Sequence, residues 1–342
     1  MNYIDTFQEE SISNESYWRS IILFGRNVAS YKFALAKSLV ELSGNNHTSI
    51  TLEELAIPFS ANLCEHLKLA PRQITSHSSR FIETCKSYND NKISKDELIT
   101  KTVQLGFNNV IDAFHIVNQG EIPIKFFHKN YTDKKRIILS DNLYAMCNSN
   151  LESELNDEVE SRWNLVETSW ELGINRNVLL VYHDDELSRF IVINRERRKD
   201  TTSVRPALNG YQKGKCFYCF DDISIDSSSP NLCEVDHFYP FALKNKMRVD
   251  FNGVWNLVLS CKTCNRGIDG KHMRIPDEVY LKRLYKRNEF LICSHHPLKD
   301  TLMKQTGNYR LQRATFYKEI DKSAYNLLIH RWKTPLKGPE IF

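Results

Sequence analysis

The chain has 342 residues, of which 41% are hydrophobic and 26% charged, the composition of an ordinary globular protein long enough for two or three cores. No apolar run approaches the roughly 18–20 residues that cross a bilayer, and the start, MNYIDTFQEE, is acidic rather than signal-like, so a cytoplasmic protein without membrane association is expected. The net charge of +4 is unevenly divided: residues 191–342 carry 27 Lys and Arg against 16 Asp and Glu, a balance of +11, and residues 1–190 carry 19 against 26, a balance of −7.

The first half reads as mainly helical. From about residue 15 to 42, apolar residues from Tyr17 through Leu42 recur at helical spacing, with Gly25 as the point where the run divides. Thr51-Leu52-Glu53-Glu54 and Ser94-Lys95-Asp96-Glu97 have the capping-box form, which predicts helix starts near residues 52 and 95. A further long helix is predicted over about 151–172, with the acidic residues from Glu152 to Glu160 as a solvated face. Short strands are predicted at 122–127, 136–139, 178–182 and 190–193. Residues 1–193 are therefore expected to form a mainly helical domain with a few strands.

Residues 194–205 are polar and basic, with Arg195, Arg197, Arg198, Lys199 and Arg205, and are expected to be a linker. A second module is expected over 206–276, followed by a helical extension over 277–342 with amphipathic helices at 277–290 and 312–332. Clustered Lys and Arg gain free energy by releasing counterions from a phosphate backbone, so this half reads either as a nucleic-acid partner or as a plain soluble basic surface. Lys282, Arg283, Lys286 and Arg287 share the same two readings. The fold class expected for the whole is α+β.

Nine cysteines are present, an odd number widely spaced, which argues against a disulfide framework. Cys64, Cys85, Cys147, Cys233 and Cys293 are scattered and are expected to be buried as small apolar residues. Cys216-Phe217-Tyr218-Cys219 and Cys261-Lys262-Thr263-Cys264 are different. Each pair lets two thiolates converge on one ion from a tight knuckle, and four thiolates close a tetrahedron suited to Zn²⁺. A closed shell of four sulfurs has no open position, so this zinc is expected to be structural.

Between the knuckles lie Glu234-Val235-Asp236-His237-Phe238-Tyr239-Pro240 and Trp255-Asn256-Leu257-Val258-Leu259-Ser260, two short predicted strands, with Thr263-Cys264-Asn265-Arg266 opening a helix beyond them. This segment, about 205–276, resembles the HNH or ββα-metal endonucleases with a four-cysteine zinc staple. The resemblance rests on Asp236-His237 followed by Pro240, Asn256-Leu257 in the second strand, and the knuckle running into Asn265, nine residues after Asn256. It implies a nuclease that hydrolyses phosphodiester bonds in DNA, RNA being a narrower rival, to leave a 5′ phosphate.

By the same resemblance, His237 is the general base, Asp236 and Asn265 are ligands of one Mg²⁺ or Mn²⁺ ion, and Asn256 braces the loop that aims His237. Arg266, Lys271 and His272 are placed to contact the phosphate, Arg266 foremost. Where the family often has lysine three residues after the ligand asparagine, this chain has Ile268, and the nearest lysine is Lys271. A helical domain fused ahead of a nuclease is expected to sense, to recognise the target, or to dock a protein partner or a second copy, as in a bacterial restriction or anti-phage defence nuclease. The alternative function is a non-catalytic adaptor that keeps the zinc fold and binds nucleic acid. Gly214-Lys215 lacks the upstream glycine of a phosphate-binding loop, so nothing points to an ATPase.

Overall fold

The computed structural model describes the chain apart from residues 1–12, 26–27, 45–47, 77, 118–119, 131, 133–134, 148–151, 172–180, 185–188, 195–196 and 295. It describes the backbone alone at 152–153, 169, 171, 181–184, 189, 191–194 and 197–203. One compact unit spans Ile12–Arg176, and another includes Asn177–Phe342.

The first unit is mainly helical. Ser13 caps helix α1 (Asn14–Phe24) by accepting from Ser16 N, and the helix ends at Gly25, where a Cβ would lie 2.6 Å from Ile21 O. Helix α2 (Tyr31–Ser43) follows, so the long apolar run is two helices, as its glycine implies. Strand β1 (Ser49–Thr51) leads into α3 (Leu52–Leu69), whose first turn carries the complete Thr51/Glu54 capping box. Helices α4 (Arg80–Asn89) and α5 (Lys95–Lys101) start at Ser79 and Ser94, each hydroxyl accepting a backbone N–H of the first turn. The short α6 (Val110–Ala113) precedes β2 (Ile116–Val117), β3 (Gly120–Glu121), β4 (Phe127–Lys129) and β5 (Arg136–Leu139). Strands β1, β5 and β4 form an antiparallel sheet in that order. The strand expected over 122–127 thus begins only at Phe127; the preceding turn is spent carrying Phe126 into the core, where its ring meets Trp18 at 5.1 Å.

Helices α7 (Asp141–Cys147) and α8 (Glu152–Glu171) complete the unit. The acidic start of α8 is only in part the solvated face that was expected: Asp157 is exposed and Glu160 half-buried. Glu154 and Glu158 are buried, and Glu158 pairs with the equally buried Arg19 at 2.9 Å. The Glu158 carboxylate is held by a cation of a neighbouring helix, since a buried carboxylate without a partner would be far more costly.

The second unit opens with the antiparallel meander β6 (Val181–Asp184), β7 (Arg189–Asn194) and β8 (Arg197–Ser203). Helix α9 (Val204–Gln212) follows. The basic segment 194–205 is therefore a strand and a helix start rather than a linker, with Arg195 outside the described residues, and the change of unit falls between Arg176 and Asn177. Of the strand expected at 178–182, the part before Val181 also lies outside them.

The hairpin β9 (Glu234–His237) and β10 (Leu257–Ser260) runs into α10 (Lys262–Arg266). Behind it come β11 (Ile275–Pro276), α11 (Glu278–Cys293), α12 (Lys299–Thr306), α13 (Arg310–Leu328) and β12 (Arg331–Trp332), which pairs in parallel with β11. The described chain is thus mixed helix and sheet, α+β as expected. Of the scattered cysteines Cys64, Cys85 and Cys233 are buried, Cys147 is half-buried and Cys293 is exposed, against expectation for the last. No helix among the described residues is long and apolar enough to cross a membrane.

Candidate active site

The two knuckles come together. The Sγ atoms of Cys216, Cys219, Cys261 and Cys264 all lie within 4.8 Å of one another, with Cys219 and Cys261 3.8 Å apart. A tetrahedron with Zn–S bonds of about 2.3 Å has edges of about 3.8 Å, so the four sulfurs fit one such ion. Backbone N–H groups aim at them as they would at thiolates: Cys261 N donates to Cys216 Sγ and Cys264 N to Cys261 Sγ. Phe220 closes the first knuckle at φ +60°, a left-handed conformation unusual for an aromatic residue. Its ring is held between Phe342, 4.9 Å away, and the Arg283 guanidinium, 4.1 Å away.

The first cysteine knuckle is sewn to the hairpin by backbone and amide bonds. Phe217 N donates to Leu259 O, and the Gln212 side chain accepts from Leu259 N and donates to Leu259 O, both at 2.8 Å, as a third strand would. From below, Arg287 is fully buried and donates to Leu257 O, Val254 O and Trp255 O, while Arg283 donates to Phe217 O and Tyr218 O. Burial pulls Arg287 down to about 10, still charged at neutral pH. These two arginines of α11 are accordingly inside the module gripping carbonyls, not on a face that meets phosphate; Lys282 remains exposed.

Antiparallel register pairs Leu257 with His237 and Val258 with Asp236. Alternation along β9 sends Asp236 and His237 to opposite faces. His237, half-buried, has Nε2 2.8 Å from Asn252 Oδ1, and its ring lies 5.4 Å from that of Phe241. Just beyond, Asn256 is fully buried: its Oδ1 accepts from Tyr239 N, and its Nδ2 donates to Tyr239 O and Phe251 O, all within 2.8–2.9 Å. The amide thus ties the chain leaving His237 to the turn before β10.

Asp236 is 6% exposed. Tyr218 Oη donates to its Oδ2 at 2.6 Å, and the Lys271 ammonium stands 3.2 Å from its Oδ1. Burial pushes the Asp236 carboxyl up from its ordinary value, opposed first by the Lys271 charge and then by the Tyr218 hydroxyl. Lys271 is itself 1% exposed and also donates to His237 O and His272 O. It was expected to meet phosphate; it is instead the inner rivet between β9 and the loop after α10.

Asn265 and Arg266 both turn to Glu234. Asn265 Nδ2 donates to Glu234 Oε2 at 2.9 Å, and Arg266 Nη2 pairs with Glu234 Oε1 at 2.5 Å, the arginine remaining largely exposed. His272 is exposed, with Nε2 2.8 Å from Gly267 O. The expected pair of oxygen ligands for Mg²⁺ or Mn²⁺ does not fit as it stands. An ion at Asp236 would have to drive the Lys271 ammonium out of a buried pair, while Asn265 meets Glu234 through Nδ2 and so has only Oδ1 to offer an ion. Gln212, Glu234 and Asn252 carry contacts at this site that motif reading missed.

No family model matches the chain, nor does any curated protein or solved structure. What the four cysteines show on their own geometry is a group able to hold a metal such as zinc.

Proposed function

We propose that the second unit is an endonuclease of the HNH type, hydrolysing phosphodiester bonds in DNA on a zinc-stapled scaffold. The observation that carries this reading is His237 at the end of β9, half-buried, hydrogen-bonded through Nε2 and followed by a loop that Asn256 braces. An imidazole held in this way suits the removal of a proton from water. The water oxygen attacks phosphorus, its proton goes to His237, and the bond to the 3′ oxygen breaks to leave a 5′ phosphate and a 3′ hydroxyl protonated from solvent. Arg266, exposed at the end of α10, is the cation placed to meet phosphate, because its pair with Glu234 is solvent-screened and easily exchanged. His272, the exposed residue immediately after the buried Lys271, can supply a further donor. The balance of +11 over residues 191–342 supports a polyanion as substrate.

Zn²⁺, when bound by Cys216, Cys219, Cys261 and Cys264, would supply folding free energy rather than chemistry, about 10 kcal/mol or more in small modules. The unit Ile12–Arg176, a compact body of its own, is proposed to govern when or where cleavage occurs, as a control domain of a bacterial defence nuclease working in the reducing cytoplasm. A second reading is favoured by the buried Asp236–Lys271 pair: a module whose carboxylate is locked by lysine, acting as a non-catalytic adaptor that binds nucleic acid.

Supercoiled plasmid separates the two readings. The nuclease nicks it in buffers containing Mg²⁺ or Mn²⁺, and His237→Ala abolishes nicking while zinc content and circular dichroism are retained. Salt-sensitive binding without cleavage in any divalent ion would establish the adaptor instead.

A further inference from the structure

Asn252 lies in the variable loop between the two strands, where no motif drew attention to it. The turn that carries it is closed from three sides. Asn252 N donates to Asp250 Oδ1 at 3.0 Å, Gly253 N donates to Asp250 O, and the Trp255 indole N–H donates to the same carbonyl. The indole packs so closely on Gly253 that a Cβ there would lie 2.6 Å from Trp255 Cδ1. Asn256 holds Phe251 O, the residue before Asn252, and both backbone groups of Tyr239, two residues after His237. One buried amide therefore fixes the two segments from which Asn252 and His237 project. A third hold on the histidine comes from Lys271, whose ammonium donates to His237 O at 2.9 Å.

A neutral imidazole has one N–H and one lone-pair nitrogen, and an asparagine Oδ1 can only accept. With Asn252 Oδ1 2.8 Å from His237 Nε2, the proton belongs on Nε2 and the lone pair on Nδ1. We propose that Asn252 is the positioning residue of His237, holding the ring in the Nε2–H tautomer so that Nδ1 is the atom that takes the proton from water. The catalytic consequence rests on the nuclease reading; the tautomer does not. In the step itself the water proton forms a bond to Nδ1 as the oxygen attacks phosphorus, the bond to the 3′ oxygen breaks, and the Nε2–H···Oδ1 contact stays in place and strengthens on the imidazolium.

The full zinc-loaded chain labelled with ¹⁵N-histidine provides the test, the His237 signals being assigned by their loss in His237→Ala. Long-range proton–nitrogen correlation at alkaline pH is expected to show the ring proton on Nε2 and none on Nδ1 in the parent, and a mixture of tautomers in Asn252→Ala. In plasmid nicking, Asn252→Ala is expected to lower kcat about 10–100-fold, the usual cost of removing a group that orients a functional histidine, with KM within about twofold. Asn252→Asp, which keeps an accepting oxygen, is expected to retain the Nε2–H form and recover a large part of the loss. Asn252→Ser, too short to reach the ring but suited to the same turn, replaces the alanine variant should that one fail to hold zinc. An Nδ1–H tautomer in the parent, or an unchanged tautomer and kcat in Asn252→Ala, overturns the proposal. If the parent cleaves nothing, the nuclease reading falls and the role as base falls with it, while the nitrogen spectrum still decides whether Asn252 holds the ring.

Discussion

Asn256 has no charge to titrate and no exposed atom, yet three backbone groups depend on it. Replacing it by alanine leaves Tyr239 N, Tyr239 O and Phe251 O buried without their partner, at about 1–3 kcal/mol for each such group. Asn256→Ala is therefore expected to destabilise the module by about 3 kcal/mol or more in chemical denaturation of the zinc-loaded chain, and a loss under about 0.5 kcal/mol would refute the bracing role. In the first unit, His66 offers a residue-level test of another kind. Its ring stacks on Trp163 at 3.5 Å, with Nδ1 2.7 Å from Glu167 and Nε2 3.2 Å from Glu160. Burial alone would lower its pKa, but the two glutamates outweigh burial and raise it to about 9. Because the folded value lies above the unfolded one, the pairing contributes fully below about pH 6.5 and is lost as pH climbs through about 9. The stability difference between the parent and His66→Gln is expected to shrink by about 2–3 kcal/mol over that window; parallel curves would contradict the pairing.

Among the elements, the hairpin and short helix of the site were legible because their identity rests on local spacing: two knuckles, alternation in the strands, and an asparagine at each strand or helix junction. The first-unit helices were legible for the same reason, through Gly25 and the Thr51 and Ser94 caps. What spacing could not convey is which side chain reaches which across the sequence. Lys271, thirty-odd positions from Asp236, looks in sequence like any basic residue of a phosphate loop; only the fold puts it under β9. Arg283 and Arg287 look like a wet helix face until α11 is seen to lie under the knuckle. The helical period says which residues share a face, but a face lined by guanidinium groups can satisfy buried carbonyls as readily as water.

That Asp236–Lys271 rivet makes a specific expectation. Lys271→Met leaves a buried carboxylate with only Tyr218, and the loss should be about 3–5 kcal/mol, with the double variant Asp236→Asn, Lys271→Met recovering most of it. Equal losses in the single and double variants would show that the pair is not coupled. The C-terminal tail is a second element with a mechanical role. Lys337 N and Gly338 N donate to Cys219 O, Phe342 packs on Phe217 and Phe220, and the Trp332 indole donates to Asp269 O in the loop beside Lys271. Removing residues 337–342 is expected to speed zinc transfer from the protein to a chromogenic chelator without abolishing binding, and an unchanged transfer rate would mean that the tail does not secure the knuckle.

At the scale of the whole molecule, length led to an expectation of two or three domains, and the chain divides into two compact units between Arg176 and Asn177. The boundary itself was misplaced because 194–205, basic and polar, has the composition of a linker while its backbone completes the β6–β8 meander. Strand pairing with neighbours, not local composition, decided that segment. Zinc should bind the two bodies unequally: chelation is expected to abolish the near-ultraviolet signal of the aromatic cluster around Phe217 and Tyr218 while leaving most helical signal of the Ile12–Arg176 unit. The most direct test of the function is the rate at which zinc-loaded parent and His237→Ala protein convert supercoiled plasmid to nicked circles, measured side by side at equal zinc content. Cleavage by the parent and its loss by at least a hundredfold in the variant is the expected result; equal rates, or no cleavage by either, would contradict the assignment of His237 as the base.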